Sequence, residues 1–306
     1  MSPLEKLILN SNQSSPSVLP LVFAAVWIVR HDFAVYTVSS VTIGQYSSNS
    51  KNLYLQNDLI NRLLKDTMNP YGIIKYLVEG EIYPYEEYDD TVSHKDAMDR
   101  FFKYYANREK SIWFLDSLKA YLKFEENLLK PNRGYHRNGF FIIIYTGFEA
   151  ERLVTIRNIF SRLFYLYVVN VNVMMMVGKY AYVYTYYPFT ARKCHSPQPE
   201  LLFSFRGIES NPNFTLKNGL FPNKVTNMHG CPLSLVSWTY APYVYVEKDP
   251  HTGTFIKIHG IEGSIISLLS QQMNFSIYIK EPDPLDVGEI FTNGTSTGAA
   301  KMLSEM

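Results

Sequence analysis

The chain has 306 residues, with 29 Lys and Arg against 28 Asp and Glu, so a net charge near +1 indicates neither a nucleic-acid face nor an acidic tail. That length leaves room for two ordinary domains with substantial apolar cores. Its 24 Tyr and 19 Phe suit half-buried strands, because a tyrosine ring can pack while its hydroxyl reaches water.

In chain order, the polar segment Ser11 to Ser17 precedes one apolar run, Val18 to Val29. Its 12 residues fall short of the roughly 20 that span a bilayer. It reads either as the apolar part of a secretion signal or as a buried strand or helix of the first domain. Phe33 to Val38 is β-rich. Leu55, Leu59, Ile60, Leu63 and Leu64 describe an amphipathic helix that Asn69-Pro70 stops. The run Tyr83 to Asp90, with Glu86, Glu87, Asp89 and Asp90, reads as a solvated loop.

From Ile112 the rhythm becomes regular. Ile112 to Leu115 is a short buried strand, and Leu118, Leu122 and Leu129 mark a helix ending near Pro131. Phe140 to Tyr145 is continuously apolar, as a strand covered on both faces requires. Leu153, Ile156, Phe160, Leu163, Phe164 and Tyr167 keep helical spacing, and Val168 to Val173 alternates Val with Asn as a strand. This βαβαβ order implies parallel strands, and Tyr180 to Tyr187 adds one more. Four prolines and two glycines between Cys194 and Thr226 mark a linker. The resulting division is 1–193, an amino-terminal α/β domain, 194–226, a linker, and 227–306, a second unit.

The second unit opens with Asn227-Met228-His229-Gly230-Cys231-Pro232-Leu233, continues through Ser234 to Trp238 as a strand, and turns at Pro242-Tyr243. After a polar loop, a helix starts at Gly260-Ile261-Glu262-Gly263, its apolar stripe formed by Ile261, Ile265, Leu268, Leu269 and Met273. Asn274 suits its left-handed cap, and Phe275, Ile277 and Ile279 alternate as the next strand. Asn293-Gly294 is a hairpin turn between Glu289–Thr292 and Thr295–Thr297, and Thr297 caps a last helix. A parallel sheet wants a strand after that helix, so Met306 reads as an interruption and the second unit as an incomplete lobe. The expected fold class is therefore α/β, with two Rossmann-like units.

Catalytic signatures are missing: no phosphate-cradling glycine loop, GxSxG elbow or HExxH helix occurs. His136, His195, His229, His251 and His259 have no chelating spacing, so no catalytic residue, metal or cofactor is expected. Three readings stand for Cys194 and Cys231. They form a disulfide, as in a secreted protein; they are free thiols; or they join His195 and His229 in a zinc site of unfamiliar spacing. Sequons at Asn12, Asn213, Asn274 and Asn293 are candidate glycosylation sites, the last three the better ones. Ligands of α/β sheets collect at the carboxyl ends of strands. That places the ligand-binding candidates at Pro242 and Tyr243, with Gly263 at a helix N-terminus whose N–H groups suit an anion; the other reading of Tyr243 is a ring buried against the sheet.

The string Asn227-x-His229-Gly230-Cys231-Pro232-Leu233, the Pro242-Tyr243 corner, the Gly260-x-Glu262-Gly263 helix start and Asn293-Gly294-Thr295-x-Thr297-Gly298 together resemble the first ligand-binding segment of insect ionotropic receptors. That family is a chemosensory branch of the ionotropic glutamate receptors. The resemblance is most specific from Asn227 onward and extends back to about Ile112. It implies a periplasmic-binding-protein-like lobe, with Tyr243 covering the ligand, in the extracellular part of a plasma-membrane cation-channel subunit. Lobe closure on a small odorant, tastant or amino-acid-like ligand would open a pore formed with co-receptor subunits of a tetramer, anchored by membrane segments outside this chain. The other readings are a soluble ligand-binding module or non-conducting product, and a Rossmann-like transferase.

Overall fold

The computed structural model describes residues 19–29, 39–48, 50–67, 74–80, 108–129, 135–147, 152–177, 180–205, 219–291 and 295–305. They divide into two units, one comprising Met1–Tyr186 with Pro197–Pro222 and the other Tyr187–Ser196 with Asn223–Met306.

The first unit is built on strands β1 (Ser39–Tyr46), β2 (Ile74–Gly80), β3 (Arg108–Leu115), β4 (Tyr135–Tyr145), β5 (Val171–Val177), β6 (Tyr180–Thr185) and β7 (Glu200–Phe205). They form one sheet in the order β2-β1-β3-β4-β5-β6-β7. The first five are parallel, and β6 and β7 extend the sheet antiparallel. Apolar runs in β3, β4 and β5 follow from coverage on both faces. Ile112, Phe114, Ile142, Ile144 and Met174 pack on one side with helices α1 (Leu19–Ile28) and α2 (Ser50–Thr67). Trp113, Leu115, Phe141, Ile143, Val173 and Met175 pack on the other with α3 (Leu118–Leu129) and α4 (Arg152–Tyr165). The helix α1 has no charged residue and is buried over most of its surface, with Phe23 and Trp27 partly covered, as such a composition requires.

Gly44 on β1 lies beside its register partner Trp113. A Cβ there would come within 2.0 Å of the indole, so glycine makes room for the largest side chain of the core. Tyr46 stacks on the same indole at 5.7 Å.

Several expectations are corrected here. Leu122 and Leu129 of α3 are exposed, and Ala120, Tyr121, Phe124 and Leu128 pack instead. Leu153 is half exposed, Tyr167 falls beyond α4 in a left-handed turn, and Thr155 and Ile159 join the buried face. Strand β5 begins at Val171, later than the Val168 start expected, and within it Asn172 is fully buried, its amide donating to the Leu220 carbonyl at 2.9 Å. The stretch 194–226 is more than a connection, because Glu200–Phe205 is strand β7. Phe33 to Val38, Glu86 to Asp90, Asn12, Asn213 and Asn293 lie outside the described residues.

The second unit contains β8 (Pro232–Val236), β9 (Tyr245–Lys248), β10 (Phe255–His259), α5 (Ile261–Met273), β11 (Ser276–Lys280) and α6 (Gly298–Ser304). Strands β8 and β11 pair in parallel, Leu233 opposite Ile277, with α5 in the connection between them. The polar stretch before α5 is an antiparallel hairpin, β9 with β10. Asn274 ends α5 in the left-handed conformation, its N–H bonded to the Ser270 carbonyl. Thr297 precedes α6, but its hydroxyl accepts the Glu289 N–H instead of capping that helix.

The apolar stripe of α5 does not face inward. Ile261, Ile265, Leu268 and Leu269 are exposed, whereas Gly263, Ile266, Ser267, Ser270 and Met273 form the more buried face. Small residues on that face let the helix approach β10, where a Cβ on Gly263 would lie 3.0 Å from Ile258 Cγ1.

Candidate functional site

The corner after β8 is a closed turn. Tyr240 N–H donates to the Val244 carbonyl at 2.8 Å, and Val244 and Tyr243 N–H groups both return to the Tyr240 carbonyl at 2.9 Å. The Ala241–Pro242 bond inside this turn is cis. The turn holds the Tyr240 and Tyr243 rings stacked, 5.8 Å apart and 12° from parallel, and leaves them 61% and 43% exposed. Its inner side is fastened to α5, because the Tyr243 carbonyl accepts the Glu262 N–H at 3.0 Å. Gly260 permits this approach: its φ is +91°, and a Cβ would stand 2.5 Å from the Tyr243 oxygen.

Of the candidates named from the sequence, Pro242 and Tyr243 are thus exposed on this turn, while Gly263 is buried against Ile258. The Glu262 N–H is taken by the Tyr243 carbonyl, which removes one main-chain donor from this start of α5.

The motif from Asn227 to Cys231 has a structural task. Met228 and Gly230 donate N–H bonds to the Met273 and Asn274 carbonyls, each at 2.7 Å, which satisfies the C-terminal end of α5. Asn227 Oδ1 accepts both the His229 N–H and the Asn274 side-chain amide, and Ser276 Oγ donates to the Gly230 carbonyl. The sequon nitrogen of Asn274 is therefore hydrogen-bonded, on an exposed residue. Cys194 and Cys231 form a disulfide, beside a small cluster of Phe189, Met228, Val225, Leu233, Met273 and Phe275. Among the described residues no group of three or more His, Cys, Asp or Glu is placed to hold a metal ion.

A second polar constellation escaped the sequence reading. In the first unit the chain leaves β1 for β2 on one side and later takes β3 on the other, so the carboxyl ends of β1 and β3 lie at a topological switch point. Asp116 stands there, directly after β3 and only 2% exposed. Its carboxylate accepts from Ser47 Oγ at 2.7 Å, Ser48 N–H at 2.8 Å, Ser48 Oγ at 3.0 Å, Asn52 Nδ2 at 2.9 Å and Ser117 Oγ at 3.0 Å. Burial alone would raise its pKa, but the bonds from Asn52, Ser47 and Ser48 outweigh it and hold the carboxyl below its ordinary range. One layer deeper, Gln56 donates to the Tyr46 carbonyl and to Thr146 Oγ1. With its acceptor sites filled, Asp116 ties the segment after β1 and the start of α2 to the end of β3 more than it offers a free charge. The sequence signal was a lone Asp-Ser closing an apolar run, but the partners Ser47, Ser48 and Asn52 lie 64 to 69 residues away.

Residues 11–227, more than half of the chain, match the family described as "Putative ionotropic receptor, ligand binding domain". The chain belongs to this receptor family. No individually curated protein matches it. The matched range contains the seven-stranded sheet and the Asp116 hydrogen-bond cluster, and it stops at Asn227, before Pro242, Tyr243 and Gly263. The mixed sheet with helices on both faces agrees with a periplasmic-binding-protein-like ligand-binding domain, and the family is one of receptors, not of enzymes. None of the described helices is long and apolar enough to cross a membrane.

Proposed function

We propose that this chain is the extracellular, ligand-recognising portion of a chemosensory ligand-gated cation-channel subunit in the plasma membrane. The observation that carries the reading is the receptor-family match over residues 11–227, which spans the seven-stranded sheet with its switch point between β1 and β3. The ligand is a small molecule of odorant, tastant or amino-acid-like type, clasped between the lobe that bears Tyr243 and a second lobe. Tyr243 is the wall or lid of that site and Pro242 fixes the turn that presents it. Gating passes to a pore outside the described helices, assembled with co-receptor subunits. Glycans on Asn213, Asn274 and Asn293 would accompany an extracellular location.

The test is electrical. The receptor subunit carrying this chain, expressed with candidate co-receptors, should give cation currents to at least one member of a small-molecule panel. Tyr243→Ala should then raise the half-maximal concentration at least about tenfold at unchanged surface expression. Surface-expressed receptor that stays silent to the panel with every co-receptor would overturn the channel reading.

A further inference from the structure

We infer that helix α1 is retained in the mature subunit as part of the first unit's core and is not a leader removed on export. The sequence leaves two readings for Val18 to Val29, the apolar part of a secretion signal and a buried element, and three observations favour the second. None of them involves the ligand or the pore, so the inference stands or falls apart from the function proposed above.

The first is what α1 covers. It packs over β5 and β6 and against α2, while α2 packs over β1. Seven of the 21 buried residues described in this apolar cluster come from residues 21–29. Met174 on β5 and Ala181 and Val183 on β6 belong to the same cluster and are fully buried. Cleavage after Val29 would strip the helix from these strands and bare one face of the sheet, which a stable monomeric domain does not leave open.

The second is the order of side-chain sizes. A leader needs hydrophobicity alone, whereas a core helix must also fit its neighbours in volume. Ala24 and Ala25, the smallest residues of α1, are 0% and 2% exposed. The two bulky rings, Phe23 and Trp27, are four residues apart on one side of the helix and take its partly covered positions. Trp27 there meets Phe205 of β7 edge-on at 6.2 Å. Pro20 falls in the first turn, where a missing N–H costs no helical hydrogen bond. Directly after Val29 come Arg30, His31, Asp32 and Phe33, large side chains where a leader carries small ones. The third observation is the family match, which begins at residue 11 and so includes α1 within the domain.

The experiment expresses the subunit that carries this chain with a tag at its far end, isolates it from cells and maps its first residue by amine labelling, digestion and mass spectrometry. The first residue should lie at or before Leu19. A first residue anywhere after Leu19 would overturn the inference. Ala24→Leu separates the two readings a second way. The change makes the segment more apolar, which a leader tolerates, but it overfills a fully buried position of the core. The midpoint of heat denaturation of the purified subunit should fall by about 3 °C or more. An unchanged midpoint would also overturn the inference, because a residue removed with a leader cannot destabilise what remains. Where the Leu variant does not accumulate, the wild-type first residue decides alone.

Discussion

Asp116 is the residue on which the end of the first sheet most depends. A buried carboxylate with five donors favours its charged form, since a protonated carboxyl gives up acceptor capacity that these donors use. Asp116→Ala would remove an acceptor shared by Ser47, Ser48 and Asn52 and should cost on the order of 3 kcal/mol in chemical denaturation. The pH dependence has a definite sign. Because the folded-state pKa is depressed, the stabilisation is complete above the unfolded value, about 4, and disappears as pH falls through the folded value. Melting temperature should therefore fall on acidification below about pH 4, and Asp116→Asn should flatten that part of the profile. An unchanged acid limb in the Asn variant would refute the assignment.

At the scale of the element, the disulfide and α5 make opposite predictions. Cys194 and Cys231 are 37 residues apart, so by the chain-entropy account their bond contributes about 4 kcal/mol by restricting the unfolded chain. Cys194→Ser should accordingly lower the unfolding midpoint of the second unit, and a reducing agent should do the same to the wild type but not to the variant. The outer face of α5 should tolerate charge. Leu268→Glu should change stability by no more than about 0.5 kcal/mol, whereas Met273→Glu, which breaks into the Met228 cluster, should unfold the unit. Much of this was legible beforehand, for a physical reason. The β3 and β4 runs and the α4 period record burial directly, and Asn274 is one of the few residues that accepts a left-handed cap. Edge strands were harder: Glu200–Phe205 follows a proline-rich stretch and is paired through β6 alone, and Ile74–Gly80 mixes charge with apolar residues. The α5 stripe misled because apolar spacing reports a face, not whether this part of the fold covers it. The corner at Tyr243 could be found from its Pro-Tyr pair, but the ring stack with Tyr240 could not, since it depends on how the turn closes.

Across the whole molecule, the two units differ in how well they bury their apolar residues. The first fills both faces of a seven-stranded sheet. The second leaves Ile261, Ile265, Leu268, Leu285, Val287, Ile290 and Leu303 each more than half exposed. The chain expressed alone should therefore associate, and Ile265→Glu with Leu268→Glu should raise its monomer fraction in light scattering. A monodisperse wild-type chain would contradict this. The disulfide has one more consequence, a topological one. Because Cys194 precedes β7 and Cys231 follows it, that strand lies inside a covalent ring while pairing with β6 in the first unit. A single proteolytic nick anywhere in the ring leaves both halves of the polypeptide joined. They would migrate as one band on a gel until the sulfur bridge is opened.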